Sequence, residues 1–446
     1  MSDRMWTKFL QSAKALVVNP VMRKKLIITL LGLAIYRLLV VIPVPFVNID
    51  MLMAQTGIAS SGLSNFLMLF GGSLESFSIL AVGLGPFINA SIVSQLLTVV
   101  IPHFEELQEL WEQGQQQLQR YMRYMTLPFA FLQSIGMVFF INSLMPGVIS
   151  TDIATVMFAA FVMSVGAMII LFLSDWITEK GLTNGVSLII FASIISGMVT
   201  QLFSTFGGLT DLSSILAMLV FSVIVIGLLT RASIFILKSY RQLPIVYARQ
   251  WKIQETSKLP IPLNPVGMIP IIFAMAFVSF PYIISQFASS MGHPSGTMER
   301  LGSRIELNFN IYVEKPGMWA LVFYFLLIIV FTYFYALITF NPDRMSDNIQ
   351  KRWGFIPGTR PGDETTNYIK TTLNHLSLRW GAGLALIGVF TYLLNYIPLI
   401  QDFSTQVGSL PVIVSGSGVV IIVGVIQQLI DSIESETMMA QYDDVF

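Results

Sequence analysis

Apolar residues in this chain are gathered into long runs instead of alternating with polar ones. Ten runs read as bilayer spans: about 25–43, 78–101, 122–145, 153–174, 186–204, 213–237, 265–288, 318–340, 378–398 and 410–430. A hydrocarbon core asks for about 20 apolar residues in a helix. Helix is the expected form in each, because no water is present there to satisfy backbone donors. One fragment between the first two runs is too short to span. Leu63, Ser64, Asn65, Phe66, Leu67, Met68, Leu69 and Phe70 are closed by Gly71, Gly72 and Ser73. Eight helical residues rise only about 12 Å, so this stretch (about 62–73) predicts a short re-entrant helix capping a pore or a ligand site. Five spans precede the middle of the chain and five follow it. An odd number per half makes any structural duplication an inverted one, although no internal sequence repeat is evident. The expected fold class is an all-α polytopic membrane protein, with ten transmembrane helices in two inverted five-helix halves around a central pore.

Charge gives the orientation. The net charge is zero, but the 25 Lys and Arg are unevenly placed. With the N-terminus inside, 21 of them fall in segments on the inner face; three (Arg300, Arg304, Lys315) fall outside and Arg37 lies within the first span. This is the bias of an N-inside, C-inside protein. Arg4, Lys8, Lys14, Arg23, Lys24 and Lys25 precede or open the first span, and no small-residue cleavage site follows it, so the span is expected to be retained. Four regions result: an amphipathic cytoplasmic N-terminus at 1–24, a first membrane half at 25–204, a second half at 205–430, and a cytoplasmic tail at 431–446. The second half carries two long basic loops, 239–264 and 341–376, rich in Pro and Gly, and loops of that length usually carry function. The outer loop 289–317 has a short alternating stretch (Ile305, Leu307, Phe309, Ile311) that predicts a small hairpin.

Composition reinforces the membrane reading: 54% of residues are hydrophobic and 11% charged, with a mean hydropathy of +0.72. The catalytic inventory is nearly empty. There is no cysteine; His103, His293 and His375 fall in loops, and no metalloprotease, nucleophile-elbow or Walker pattern occurs. No enzyme, metal or cofactor is expected, and energy would have to come from a partner. No Asp or Glu lies deep in a span, unlike the usual ion-coupled transporter. Ser415-Gly416-Ser417-Gly418 opens the last span and reads as close helix packing by small residues in preference to a nucleophile. Arg37 reads as an arginine satisfied by carbonyls in preference to a gate. The acidic tail (Glu434, Glu436, Asp443, Asp444) reads as a solvated end.

A series of short motifs resembles the SecY/Sec61 family of protein-conducting channels, in its bacterial branch. They are Pro43-Val44-Pro45, the stretch 63–73, Gly85-Pro86-Phe87-Ile88-Asn89-Ala90-Ser91, Ile177–Gly185, Asn264–Pro270, Phe340-Asn341-Pro342, Gly358–Gly362 and Met438–Tyr442. They run in order from about residue 20 to 442. Two departures stand out. Glu109–Gln117 is acidic and glutamine-rich where the family is usually basic, and Gln242 stands where a second arginine is common.

The resemblance implies a pore whose waist is a ring of aliphatic side chains: Leu84, Ile88, Ile190, Ile194, Ile272 and Ile421. It makes 62–73 the plug. It also implies a lateral gate lined by Asn89, Ser91, Gln133 and Asn264, opening sideways to the lipid bilayer, and docking residues Arg241, Arg249 and Arg360. The implied partners are SecE-like and SecG-like small membrane subunits, a SecA-type ATPase motor, the ribosome, and unfolded precursor polypeptides with signal sequences. The implied location is the inner membrane of a bacterium. The competing class is an inverted-repeat secondary transporter for a small solute, which predicts broken helices in both halves and ionisable groups at mid-depth.

Overall fold

The computed structural model describes residues 20–47, 77–144, 147–149, 152–208, 212–247, 257–262, 264, 267–278, 316–351, 354–394, 396–397 and 415–443. The short helix expected at 62–73, the hairpin expected within 289–317 and Arg249 lie outside the described residues. In chain order the elements are α1 Pro20–Val41, α2 Gly85–Val100, α3 Pro102–Glu109, α4 Trp111–Leu144, α5 Ile153–Lys180, α6 Gly185–Gly208 and α7 Leu212–Lys238. Strands β1 Tyr240–Tyr247 and β2 Ser257–Pro262 follow. After them come α8 Ile269–Val278, α9 Met318–Thr339, α10 Pro342–Lys351, β3 Gly354–Phe355, α11 Asp363–Leu394 and α12 Gly416–Asp443. Five stretches among the described residues are long and apolar enough to cross a bilayer, in α5, α7, α9 with α10, α11 and α12. The protein is an all-α polytopic membrane protein with a small sheet in its loops.

Proline and short polar residues set the helix ends. Pro102 drives Ile101 into an extended conformation (φ −109°, ψ 116°), which stops α2, and then opens α3 where its missing N–H does no harm. Asn184 accepts a hydrogen bond from the Ser187 N–H at 3.2 Å and so starts α6. Asn341 does the same for Arg344 at 3.3 Å ahead of Pro342, and Ser415 Oγ for Gly418 at 3.1 Å. Such caps are worth about 1 kcal/mol each, which is why Asn-Gly, Asn-Pro and Ser-Gly-Ser-Gly stand where helices begin.

The chain divides into two compact units. One comprises Met1–Ser204, Ala276–Gly317 and Val425–Phe446; the other comprises Thr205–Met275 and Met318–Gly424. In the first, α4 packs against α2, α3 and α5, and α5 also packs against α1. α5 buries large residues such as Met163, Ile170 and Leu171 together with a set of small ones, but its exposed face is unlike that of a water-soluble helix. α5 buries Ala159, Ala160, Ser164, Gly166 and Ala167 while exposing Phe158, Phe161, Ile169 and Phe172. Small residues at the helix contacts with bulky apolar ones outside is the pattern of a span in lipid.

In the second unit, α9 and α11 pack along each other, and α7 and α10 also lie against α11. Here the expected loops 239–264 and 341–376 are corrected: both contain regular structure. β1 pairs antiparallel with β2, and β3 pairs on the other side of β1 through Val246↔Phe355 and Tyr247↔Gly354, giving the order β2-β1-β3. Leu243, Ile245, Ile349, Ile356, Ile369, Leu373 and Leu376 form one buried cluster from β1, α10, the residue after β3 and the first half of α11. Two helices also begin well before their apolar runs. α4 starts at Trp111, not near 122, and α11 starts at Asp363, not near 378.

Candidate functional site

The aliphatic set is laid down by helix spacing. In the first unit Leu84 and Ile88 open α2, with the Ile88 N–H bonded to the Leu84 carbonyl at 3.1 Å, and Ile190 and Ile194 repeat that four-residue spacing on α6. Each pair therefore lies on one helix face. In the second unit α8 and α12 touch at Gly424, where an added Cβ would lie 2.9 Å from Met268 Sδ. Ile272 and Ile421 each stand one turn from that contact. All six aliphatic residues are buried, none more than 7% exposed. Such side chains offer no hydrogen bond to an ion or to water, so surfaces made of them dewet.

The polar seam residues divide. Asn89 is buried, with its amide oxygen unpaired, and Gln133 Oε1 is likewise buried without a partner. Gly85, one turn before Asn89, gives the room: an added Cβ there would lie 3.3 Å from Gln133 Nε2. Gln133 of α4 therefore lies against α2 at Gly85, one turn from Asn89. An unsatisfied buried acceptor costs about 1–3 kcal/mol. Ser91 instead donates to the Ile88 carbonyl of its own helix at 2.8 Å. Asn264 Nδ2 donates to the Gly267 carbonyl at 2.7 Å, closing the turn ahead of α8. Ser134, buried beside Gln133 in sequence and also unpaired, escaped the sequence reading. Its only signal is a hydroxyl inside an apolar run.

Arg360 is held by its backbone, and its side chain is exposed. Its N–H donates to the Glu364 carboxylate at 3.0 Å, and its carbonyl accepts from Thr365 Oγ1 at 2.8 Å. Ser346 Oγ donates to the Gly362 carbonyl at 3.1 Å. Gly358 (φ +90°) and Gly362 (φ +103°) sit in the left-handed region that glycine tolerates. The guanidinium is exposed, as is that of Arg241 on β1. Arg37 Nη2 donates to the Ala192 carbonyl at 3.2 Å, so α1 is tied to α6 by a carbonyl contact of the expected kind.

The two ends of the chain meet, which sequence reasoning missed. Lys25 of α1 forms an ion pair with Glu436 of α12, and Ser432 Oγ donates to the Leu182 carbonyl. Met22, Leu182 and Ile433 pack beside them. Thr29 Oγ1 accepts from the Leu182 N–H at 3.1 Å. Glu436 is therefore a paired residue, not part of a freely solvated end. Among the described residues no cluster of His, Cys, Asp or Glu could hold a metal.

The SecY family matches residues 78–430. The protein translocase subunit SecY of Staphylococcus carnosus is 33% identical over 434 residues, covering 94% of this chain and 95% of that relative. Its counterpart in Bacillus licheniformis is 34% identical over 435 residues, with the same shares covered. Among solved structures, one described as "The structure of a protein conducting channel" aligns at a TM-score of 0.62 and 17% identity, covering 93% of this chain and 92% of that one. Sec61 in the canine ribosome–channel complex from the endoplasmic reticulum aligns at 0.58 and 15%, with the same coverage. At these identities the structures speak to the fold alone.

Proposed function

This chain belongs to the SecY family, and from that we propose that it is the central pore subunit of a bacterial protein translocase. It passes unfolded polypeptides across the membrane and releases apolar segments sideways into lipid. The observation that carries the reading is the identity to translocase subunits over nearly the whole of both chains. No solute transporter is among the relatives described above, and among the described residues no cluster of His, Asp or Glu supports one. Both termini face the cytoplasm in this reading, which the placement of Lys and Arg supports, and the sheet lies on that side.

In this reading Leu84, Ile88, Ile190, Ile194, Ile272 and Ile421 form the constriction, which supports no ion passage and yields to a polypeptide without breaking bonds. Residues 62–73 are its plug. Asn89 and Gln133, with Ser91 and Asn264, mark the lateral gate. Interhelical polar contacts in membranes are worth only about 0.6–2 kcal/mol, weak enough for a contact that must part. Arg241, Arg249 and Arg360 receive a SecA-type motor or the ribosome, and SecE-like and SecG-like helices complete the membrane assembly. The protein itself does no catalysis.

The test is reconstitution into vesicles with the motor, the small subunits and a labelled signal-bearing precursor. ATP-dependent protection of the precursor from protease is expected. Arg360→Glu should lower it by about 10- to 100-fold, the weight of a charge-assisted contact, while the protein still inserts. An absence of protected precursor beside a motor active on another translocase would overturn the reading. Near-normal transport by the glutamate variant would remove Arg360 from the docking surface.

A further inference from the structure

β2 is the outer strand of the sheet: β1 flanks one side, and no strand pairs with the other among the described residues. In an antiparallel ladder, pairs that exchange both backbone hydrogen bonds alternate with pairs whose N–H and C=O point away from each other. The register is Tyr240↔Pro262, Arg241↔Ile261, Gln242↔Pro260, Leu243↔Leu259, Pro244↔Lys258 and Ile245↔Ser257. Pro244, Pro260 and Pro262 have no N–H to exchange. The bonded pairs are therefore Arg241↔Ile261, Leu243↔Leu259 and Ile245↔Ser257, in which every residue keeps its donor. Lys258, Pro260 and Pro262 turn their backbone outward, and of these only Lys258 presents an N–H. Lys258 and Pro260 are exposed.

An open edge is a template for any extended chain, because main-chain hydrogen bonds ask nothing of the sequence that binds. On the conduction reading above, unfolded polypeptide is the substrate, and it arrives on the side where this sheet lies. Translocated sequences are diverse, so side-chain selectivity cannot keep them off an edge; removing the donors can. We propose that Pro260 and Pro262 prevent the transported polypeptide from adding to β2 as a further strand, so that the sheet presents arginines to partners without capturing substrate.

The experiment uses the full chain in its membrane assembly, as wild type and as the Pro260→Val/Pro262→Val double variant, with a photo-crosslinker at position 258. Two precursors share a signal: one has a Val-, Ile- and Thr-rich mature part, and the other carries regularly spaced prolines that prevent strand pairing. The double variant should crosslink to the first precursor and slow it by about 5- to 100-fold, the weight of two restored backbone hydrogen bonds. It should pass the second at the wild-type rate. Equal behaviour toward both precursors would overturn the proposal. Self-crosslinked dimers with unaffected transport would overturn it too, showing that the prolines guard against a second copy. Failure of the wild type to move either precursor would instead count against the conduction reading.

Discussion

In the sheet and the helices that close over it, Leu243, Ile245, Ile356 and Leu373 are sealed inside while Arg241, Lys258 and Arg360 face out. In α5, Ala159, Ala160 and Ser164 are inside while Phe158, Phe161 and Phe172 face out. One chain has built two interiors because its two exteriors differ. Where water surrounds the sheet, withdrawal of large apolar groups supplies the drive. Where hydrocarbon surrounds α5, burying a phenylalanine gains little, and close approach of backbones across small residues supplies the stability. The same substitution should therefore have opposite consequences in the two places.

The largest expected effect is on the sheet. Leu243→Asp puts an unpaired charge into its core, a change on the order of 3–5 kcal/mol, and should open 239–264 and 341–376 to limited proteolysis. The spans of α5 and α9 should stay protected. If they are lost as well, the sheet is not an independent water-built module. A smaller effect tests the lipid-built side with two adjacent residues. Ala160→Leu should destabilise by about 1–3 kcal/mol through overpacking, whereas Phe161→Leu, on the outer face, should stay within about 0.5 kcal/mol. Thermal unfolding in detergent with lipid reads both, and a reversed order would mean that α5 does not face hydrocarbon as described. The smallest effect belongs to the Lys25–Glu436 pair, whose side chains are 28% and 31% exposed. Lys25→Glu should lower stability by about 0.2–1 kcal/mol, and adding Glu436→Lys should restore most of it in a double-mutant cycle at low salt. No recovery would leave Ser432 and the Met22–Leu182–Ile433 contact as what joins the ends.

The spans were legible because lipid demands continuous apolar runs, and such runs leave little else to read. What lies outside lipid was not. The sheet hid because Pro244, Pro260 and Pro262 argue against strands; only the β1–β2 register shows that Pro260 and Pro262 occupy outward positions and that Pro244 stands at a pair that exchanges no backbone hydrogen bond. The first half of α11 was readable in principle, since Thr365, Ile369, Thr372, Leu373 and Leu376 keep a helical spacing on one buried face. A search tuned to unbroken apolarity passes over it. The start of α4 hid in the same way, among glutamines that favour helix without being apolar. At the candidate site, Asn89 and Gln133 could be picked out by type, but the approach of Gln133 to α2 one turn from Asn89 depends on Gly85, whose meaning is spatial. The pairing of Lys25 with Glu436 spans 411 residues, and nothing local announces it.

The way Arg360 is mounted has a consequence for how quickly it can be gripped and let go. Fixing the backbone of a free loop consumes roughly 1–2 kcal/mol of entropy per residue, and a docking event on such a loop must supply that anew at each encounter. Here Glu364 and Thr365 have already immobilised the main chain on both sides of the arginine, so a partner has only the side-chain torsions left to freeze. If Arg360 has the docking role proposed above, a partner that binds and releases it repeatedly meets a handle whose main chain adds no ordering cost in either direction.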